Sequence, residues 1–260
     1  MDVSLLPDER IDEINEYLSV IQKKDGLTFT SDAYLLAAFV SGKHRRCADL
    51  GSGTGVVALL CAQKGKAEKV FAAEISEEFA GLITRNAELN SLSDKVTALC
   101  ADVRTLTKAD TGGELDAVFA NPPYMKKGSG IPSASEKMRG ARYEENGTFD
   151  DFALCAARLL RSGGSFYTVH RADRTADVLG GMRSAGIEPK RLIMIYPDLR
   201  SSPNLILCEG KKGAGTELKI APPLIMYTAG REYTPELSRV YENCSLDFMF
   251  EKGGVKNELS

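Results

Sequence analysis

Residues 119–124, Phe-Ala-Asn-Pro-Pro-Tyr, contain the side chains whose types and order most directly indicate a chemistry. The apolar residues before Asn121 predict a buried strand, which the two prolines end because neither donates to a sheet ladder. The amide oxygen of Asn121 and the carbonyl of Pro122 can accept both hydrogens of an exocyclic amine, and Tyr124 can lie against a planar ring. The stretch therefore predicts a site that holds a planar amine with its lone pair directed outward. The plainer alternative is a proline turn after a core strand.

Acidic residues end three successive predicted strands. Asp49 precedes a glycine-rich turn, Gly51 to Gly55, and Glu74 and Asp102 end the next two strands. Because the carboxyl ends of parallel strands meet at one edge of a sheet, one ligand can contact all three acids. Glu74 suits the two hydroxyls of a ribose, Asp102 an adenine amino group, and Asp49 a cationic group. The GxGxG spacing differs from the GxGxxG of dinucleotide folds, although each acid alone could be a solvated strand end.

The elements that must position these residues alternate between strand and helix from residue 46 onward. This alternation predicts an α/β fold with a doubly wound, mostly parallel sheet. The predicted strands cover residues 46–50, 69–73, 95–101, 117–120, 165–170, 187–195 and 204–211, and the helices 56–64, 77–90, 149–160 and 174–185. Ile11, Ile14, Leu18 and Ile21 at helical spacing predict a short N-terminal helical extension over residues 7–22, followed by a helix over 33–40. Thr234-Pro235-Glu236 predicts the start of another helix.

The composition is that of an ordinary soluble globular protein, with 43% hydrophobic and 27% charged residues. A net charge of −3 excludes a globally basic nucleic-acid binder. No apolar run is long enough for a membrane span, and the acidic N-terminus is not a signal peptide. The 6 cysteines form no CxxC pair, which predicts reduced thiols and a cytoplasmic location. With 2 histidines, no His-rich metal site is expected.

The segment between Tyr124 and Thr148 is long for a loop and rich in glycine and basic residues. Loops of this length inside a domain usually carry a function or are disordered. Its placement after the candidate site leaves two interpretations open, a contact with a polyanion or a solvated charged face. The basic residues concerned are Lys126, Lys127, Lys137, Arg139 and Arg142.

Together, the glycine turn, the strand-end acids and the Asn-Pro-Pro-Tyr stretch resemble the class I S-adenosylmethionine-dependent amino-methyltransferases, over roughly residues 45–210. The resemblance implies a Rossmann-like sheet of seven strands whose last strand inserts antiparallel, with S-adenosylmethionine as cofactor. We therefore predict an N-terminal extension over residues 1–44, a methyltransferase domain over 45–212, and a C-terminal tail, 213–260, packed on the same domain.

Four stretches narrow the resemblance to the bacterial tRNA1(Val) (adenine-37 N6)-methyltransferases. They are FTSDAYLLAAF (29–39), DLGSGTGVVAL (49–59), FANPPY (119–124) and the narrower signal PLIMYTAGREYTPE (223–236). This resemblance implies a tRNA anticodon loop as partner and an adenine as methyl acceptor. Methylation of rRNA guanine N2 or of a protein glutamine remains open, as do a non-catalytic binding module and an NAD-dependent oxidoreductase.

The predicted site comprises two sets of residues. The cofactor-binding set is Thr30, Asp49, Gly51, Ser52, Gly53, Gly55, Glu74, Ile75, Asp102, Val103 and Asn121, and the catalytic set is Asn121, Pro122 and Tyr124. No metal is expected. No Pro-Cys pair lies near the site, so we expect direct transfer without a covalent intermediate.

Overall fold

A mixed sheet, a separate β-hairpin and flanking helices form the computed structural model, which describes residues 5–24, 31–123 and 147–251. The strands are β1 (Glu9–Asn15), β2 (Leu18–Lys23), β3 (His44–Leu50), β4 (Ala67–Glu74), β5 (Val96–Cys100), β6 (Leu115–Ala120), β7 (Leu160–Arg171), β8 (Ile187–Tyr196), β9 (Leu205–Lys212), β10 (Lys219–Ile220) and β11 (Leu224–Ile225). The helices are α1 (Ser31–Phe39), α2 (Val56–Gln63), α3 (Glu77–Leu89), α4 (Phe149–Leu159), α5 (Thr175–Ser184) and α6 (Pro235–Asn243).

The sheet runs in the order β10-β8-β9-β7-β6-β3-β4-β5, and β11 pairs with β8 beside β10. Strands β3 to β7 are parallel to one another, whereas β9 is antiparallel to both β7 and β8. The predicted doubly wound sheet with an inserted antiparallel strand, β9, is confirmed. The predicted number of seven strands is wrong, because the two-residue strands β10 and β11 add to β8 and make nine. Its order places β6, β3, β4 and β5 side by side, so that the ends carrying the predicted site residues are neighbours.

Helices cover both faces of the sheet, as a mostly parallel sheet requires. One core contains α1, α2, α3 and α6 with part of the hairpin, and the other contains α4 and α5. Every residue of α2 from Val56 to Ala62 is buried. A helix that is apolar all round must be enclosed, and α2 is enclosed by the sheet, α1 and β2. It therefore provides a rigid support for the glycine turn that precedes it.

The predicted helix over residues 7–22 is wrong, because this segment forms the hairpin β1–β2. A helix over this segment would bury Ile11 on its apolar face. In the structure Ile11 is 44% exposed, and Glu9 is only 3% exposed. In the hairpin, Ile11 pairs with Ile21 and Glu9 with Lys23. Apolar residues at positions 11, 14, 18 and 21 have the spacing of a helix. As a strand, however, β2 has its backbone hydrogen-bonded along both edges, to β1 on one side and to asparagine side chains at the end of α3 on the other.

The C-terminal tail packs against α1. Thr234 caps α6, its hydroxyl accepting from the Leu237 N–H at 3.2 Å, with Pro235 in the first turn as predicted. The Tyr34 hydroxyl in α1 donates to the Tyr241 carbonyl at 2.8 Å. These contacts agree with a tail that joins the main core, while the domain boundaries at residues 44 and 212 stay predictions.

No helix in the described ranges has both the length and the apolar character needed to cross a membrane. The long loop predicted between Tyr124 and Thr148 lies outside the described residues, apart from Gly147.

Candidate active site

The turn that follows β3 exposes bare backbone at the carboxyl edge of the sheet. The N–H groups of Gly51 and Ser52 both donate to the Ala73 carbonyl of β4, at 2.9 and 3.0 Å. Gly53 has a φ of +57°, and no atom lies within 4 Å of the position that a β-carbon would take. Glycine is needed there for its conformation rather than for packing. The backbone at Gly53 can thus be approached closely by a ligand.

Asp49 lies beneath this turn with 1% of its surface exposed. Its Oδ2 accepts from the Ser52 hydroxyl at 2.6 Å and from the Ala58 N–H at 3.2 Å. Burial, with a smaller contribution from the nearby Glu74 carboxylate, raises the pKa of Asp49 to about 7. Asp49 therefore joins the turn to the first turn of α2, and its predicted contact with a cationic ligand group stays a prediction.

We expect the raised pKa of Asp49 to give folding stability a pH dependence that an amide would remove. The folded-state pKa of about 7 exceeds the ordinary value of 3.8, so folding favours the protonated acid. This contribution is lost as the pH rises from about 4 to about 7. An Asp49→Asn variant keeps an acceptor oxygen and stays neutral. The melting temperature of the variant minus that of the parent should therefore increase up to about pH 7 and then level off. A difference independent of pH would contradict this interpretation.

Glu74 connects the glycine turn to the start of α3. Its Oε2 accepts from the Gly53 N–H at 2.9 Å, and its Oε1 accepts from the Ser76 N–H at 3.0 Å. The side chain is half-buried. A carboxylate has about four lone-pair sites, so each oxygen retains the capacity to accept one more hydrogen bond. This geometry suits a ligand that offers two adjacent hydroxyl groups.

Asp102 follows β5, and its two oxygens are shared with Arg104. The Arg104 backbone N–H donates to Oδ1 and the Arg104 Nε to both oxygens, each at 2.9 Å. This guanidinium holds the pKa of the Asp102 carboxyl below its usual range. The acid is therefore ionised and oriented by a residue that the sequence analysis did not identify. The sequence contained one local signal for this ion pair, a carboxylate two positions before an arginine.

The segment after Asp102 is fixed by Arg158 of α4. Its Nε donates to the Leu106 carbonyl at 2.7 Å and its Nη2 to the Val103 carbonyl at 2.8 Å. Val103 is 5% exposed, whereas Ile75, which follows Glu74, is 38% exposed. Apolar surface thus borders the acidic strand ends. Arg158 was also missed, because its partners are more than 50 residues away.

Asn121 directly follows β6 and is half-buried, and the next residue, Pro122, is buried. Strand β6 pairs with β3 up to Leu50 and Ala120, which places Asn121 beside the start of the glycine turn. Tyr124 and Thr30, both predicted site residues, lie outside the described residues. The same holds for the predicted partner contacts Lys126, Lys127, Lys137, Arg139 and Arg142.

Four adjacent strands therefore carry Asn121, Asp49, Glu74 and Asp102 at one edge, in that spatial order. Neighbouring strands are about 4.8 Å apart, so the row spans roughly 14 Å between its outer strands. That length accommodates a nucleoside joined to an amino-acid chain. Nowhere in the described ranges do three or more His, Cys, Asp or Glu side chains form a group that could hold a metal ion.

The residues of this edge fit a nucleoside with a cationic extension better than a dinucleotide. At a pyrophosphate site, the turn amides of a helix N-terminus point at the phosphates. Here the Gly53 amide already donates to the Glu74 carboxylate, and a second acid lies beneath the turn. Negative charge at this position would repel a phosphate and attract a sulfonium or an ammonium group.

The model of the family described as "Methyltransferase small domain" matches residues 26–183. The chain belongs to this family. It is a methyltransferase, and its cofactor is S-adenosylmethionine. The predicted class and cofactor are confirmed. Glu74, Asp102 and the glycine turn are the groups that would hold the cofactor, which supplies a methyl group bonded to a positively charged sulfur.

Several known proteins are similar to this methyltransferase. A Porphyromonas gingivalis protein named tRNA1(Val) (adenine(37)-N6)-methyltransferase is 27% identical over 203 residues, 76% of this chain and 78% of the relative. One of the same name from Haemophilus influenzae is 24% identical and covers 87% of this chain and 95% of the relative. A solved structure from Agrobacterium tumefaciens, described as a predicted O-methyltransferase, is 26% identical with a TM-score of 0.67 and covers 82% of this chain and 97% of that chain. The sequence resemblance is thus confirmed by similarity over 76% to 87% of this chain.

Proposed function

We propose that this methyltransferase methylates N6 of adenine 37 in the anticodon loop of a tRNA. The names of the relatives from Porphyromonas gingivalis and Haemophilus influenzae support this substrate. The observation that carries the proposal is the position of Asn121, which follows the strand next to the glycine turn. An amide there can orient a planar amine toward the methyl group of the cofactor.

Asn121 and Pro122 would activate the target amine by accepting its hydrogens. The N6 nitrogen of adenine is a poor nucleophile because its lone pair is delocalised into the ring. When the Asn121 side-chain oxygen and the Pro122 carbonyl accept both hydrogens, the pyramidal form of the nitrogen is favoured. The same two oxygens would stabilise the positive charge on N6 as N6 takes the methyl group, while the carbon–sulfur bond of the cofactor breaks and its electron pair stays on sulfur. One proton would then leave N6 to water. Alignment of the two reacting atoms supplies the remaining acceleration.

Tyr124 would hold the target base outside the RNA stack. An anticodon-loop adenine is already partly unpaired, so its extrusion requires less than the few kcal/mol needed for a paired base. Stacking on the tyrosine ring would stabilise the extruded base by roughly 1–3 kcal/mol. We therefore expect loop RNA to be preferred over a duplex that contains the same sequence.

Transfer of a labelled methyl group to unmodified tRNA transcripts tests the proposal. We expect N6-methyladenosine at position 37, identified by nucleoside mass spectrometry, and its loss when that adenine is replaced by guanine. Methylguanosine from rRNA or a methylated glutamine in protein would instead support one of the alternative acceptors. Cofactor binding without turnover on any of these substrates would indicate a binding module.

We further propose that the basic loop contacts tRNA phosphates. Its five residues are Lys126, Lys127, Lys137, Arg139 and Arg142. Each phosphate contact adds roughly 0.7–0.9 to the slope of log affinity against log salt concentration. Replacing Lys126 and Lys127 by alanine should therefore reduce the slope by about 1.4–1.8, measured by filter binding at several salt concentrations.

The matched control replaces Lys43 and Arg45 by alanine. Both residues are exposed and lie at the start of β3, the edge opposite the candidate site. The control removes the same charge, so a general electrostatic effect would lower both slopes equally. Equal slopes for the two double variants would show that the basic loop is only a solvated face.

A tRNA substrate would place this methyltransferase in the cytoplasm. All 6 cysteines are free thiols, and Cys100 alone among them is exposed. Unpaired cysteines are typical of a reducing compartment, which supports the proposed location.

A further inference from the structure

Asn86 of α3 and Asn90, the residue that caps the C-terminus of this helix, hold strand β2 by its backbone. Asn86 Oδ1 accepts from the Ile21 N–H at 2.6 Å, and its Nδ2 donates to the Ile21 carbonyl at 3.2 Å. Asn90, one helical turn later, makes the same pair of bonds to Ser19, at 3.0 and 2.7 Å. The two amides thus take the place of a neighbouring strand for alternate residues of β2. Asn86 is inside the helix, where asparagine is otherwise unfavourable.

The remaining amide hydrogen distinguishes the two asparagines. Asn86 Nδ2 also donates to the Thr54 carbonyl at 2.9 Å, in the middle of the glycine turn. Asn90 Nδ2 instead donates to the Asn86 carbonyl of its own helix at 2.7 Å. Asn86 is fully buried, so both its hydrogens and its oxygen have protein partners. It alone of the pair connects the hairpin to the cofactor turn.

Thr54 lies between the two glycines that end the turn, and the orientation of its carbonyl sets the peptide plane before Gly55. Gly55 is the N-cap of α2 and has no side chain with which to cap the helix, so the first-turn amide of Ala58 is bound by Asp49 instead. The bond from Asn86 therefore restrains the peptide that leads into a glycine N-cap, next to the Gly53–Glu74 contact.

Ion pairs fix the hairpin on α3 on either side of the turn contact. Arg85 donates from both terminal nitrogens to the two oxygens of Glu9, at 2.7 and 2.8 Å. Lys23, at the end of β2, pairs with Glu78 at 2.7 Å. The Glu9 side chain is 1% exposed, and buried charge pairs of good geometry hold their elements in one arrangement. These ion pairs thus hold the hairpin rigidly against α3, the helix that carries Asn86.

We propose that Asn86 is a positioning residue for S-adenosylmethionine, through which the β1–β2 hairpin holds the glycine turn in its binding conformation. Asn86 does not touch the reacting atoms. It lowers the conformational freedom that the turn would otherwise lose on binding. The inference concerns the cofactor, and it rests on the proposed tRNA substrate only for the measurement of kcat.

Calorimetric titration with S-adenosylmethionine separates Asn86 from Asn90. Asn86→Ala and Asn90→Ala each remove two bonds to β2, but only Asn86→Ala removes the bond to Thr54. We expect Kd to rise at least tenfold in Asn86→Ala and less than threefold in Asn90→Ala, at a temperature where thermal melts show both proteins folded. The kcat of Asn86→Ala at saturating cofactor should stay within threefold of the parent, because the residue acts on binding. Equal Kd values for the two variants would overturn the proposal.

Amide hydrogen exchange on the unmodified protein tests the same coupling without a variant that could fail to fold. Coupling between two sites is reciprocal, so saturating S-adenosylmethionine should slow exchange of the Ile21 amide at least fivefold. An Ile21 exchange rate that is unchanged by the cofactor would overturn the proposal. A parent protein that binds no S-adenosylmethionine would refute the cofactor instead, and a protein that binds it but leaves tRNA unmethylated would refute only the proposed substrate.

Discussion

Replacing Asn121 by alanine should lower the rate constant of methyl transfer by roughly 10²–10³, the loss typical for one preorganised hydrogen-bonding group. The fold and most of the RNA affinity should persist, because Asn121 would act on a single amine of a large substrate. The measurement is single-turnover transfer to unmodified tRNA at saturating cofactor, paired with a thermal melt. Asn121→Asp keeps an acceptor oxygen of similar shape, so we expect it to retain more activity than alanine.

Asn204 provides the matched control for this prediction. It is exposed and precedes β9 at the same edge of the sheet, and its described hydrogen bonds involve its backbone. Asn204→Ala should transfer the methyl group at the parent rate. If Asn121 only capped the proline turn, its replacement would lower stability by about 1 kcal/mol and leave turnover nearly unchanged. Near-parent transfer by Asn121→Ala would refute the proposed mechanism even in a protein that binds the cofactor.

Replacing Glu74 by alanine should weaken S-adenosylmethionine binding about 100-fold or more. The carboxylate would accept two ribose hydroxyls, and hydrogen bonds to a charged group contribute roughly 1.5–3 kcal/mol each. Its loss also leaves the Gly53 and Ser76 N–H groups without the carboxylate oxygens that accept their hydrogen bonds. Glu74→Gln should bind weakly as well, since its NH₂ group would face one of these two donors. Calorimetry gives the affinity, and a thermal melt reports on the fold.

The control for Glu74 is Glu77→Ala, which removes the same charge three positions later. Glu77 is exposed in the first turn of α3, so its loss should cost only the roughly 0.3–1 kcal/mol of a charge at a helix terminus. Cofactor affinity should stay within about twofold of the parent. If both variants lost affinity equally, Glu74 would act through general charge rather than through contact with the ribose.

The sequence by itself determined the sheet and the edge at which the site lies. Buried parallel strands are short apolar runs that end at glycine, proline or an acid, and these signals are local. For this reason the strands leading to Asp49, Glu74, Asp102 and Asn121 were predicted within a few residues of their observed ends. The adjacency of these strands in the sheet was also predicted, because connections through helices allow parallel strands only a few orders. The roles of these side chains toward cofactor and substrate stay predictions.

Only the tertiary structure decided the form of the N-terminal segment and the partners of the site residues. The spacing of Ile11 and Ile21 fits a helix, but β2 is stabilised by amides of α3 whose positions the local pattern does not contain. The bond between Ile21 and Asn86 joins residues 65 positions apart, and Arg158 reaches Val103 over 55 positions. Side chains that satisfy a distant backbone leave no periodicity in the sequence. The candidate site residues could therefore be predicted from the chain, whereas the residues that hold them in place required the fold.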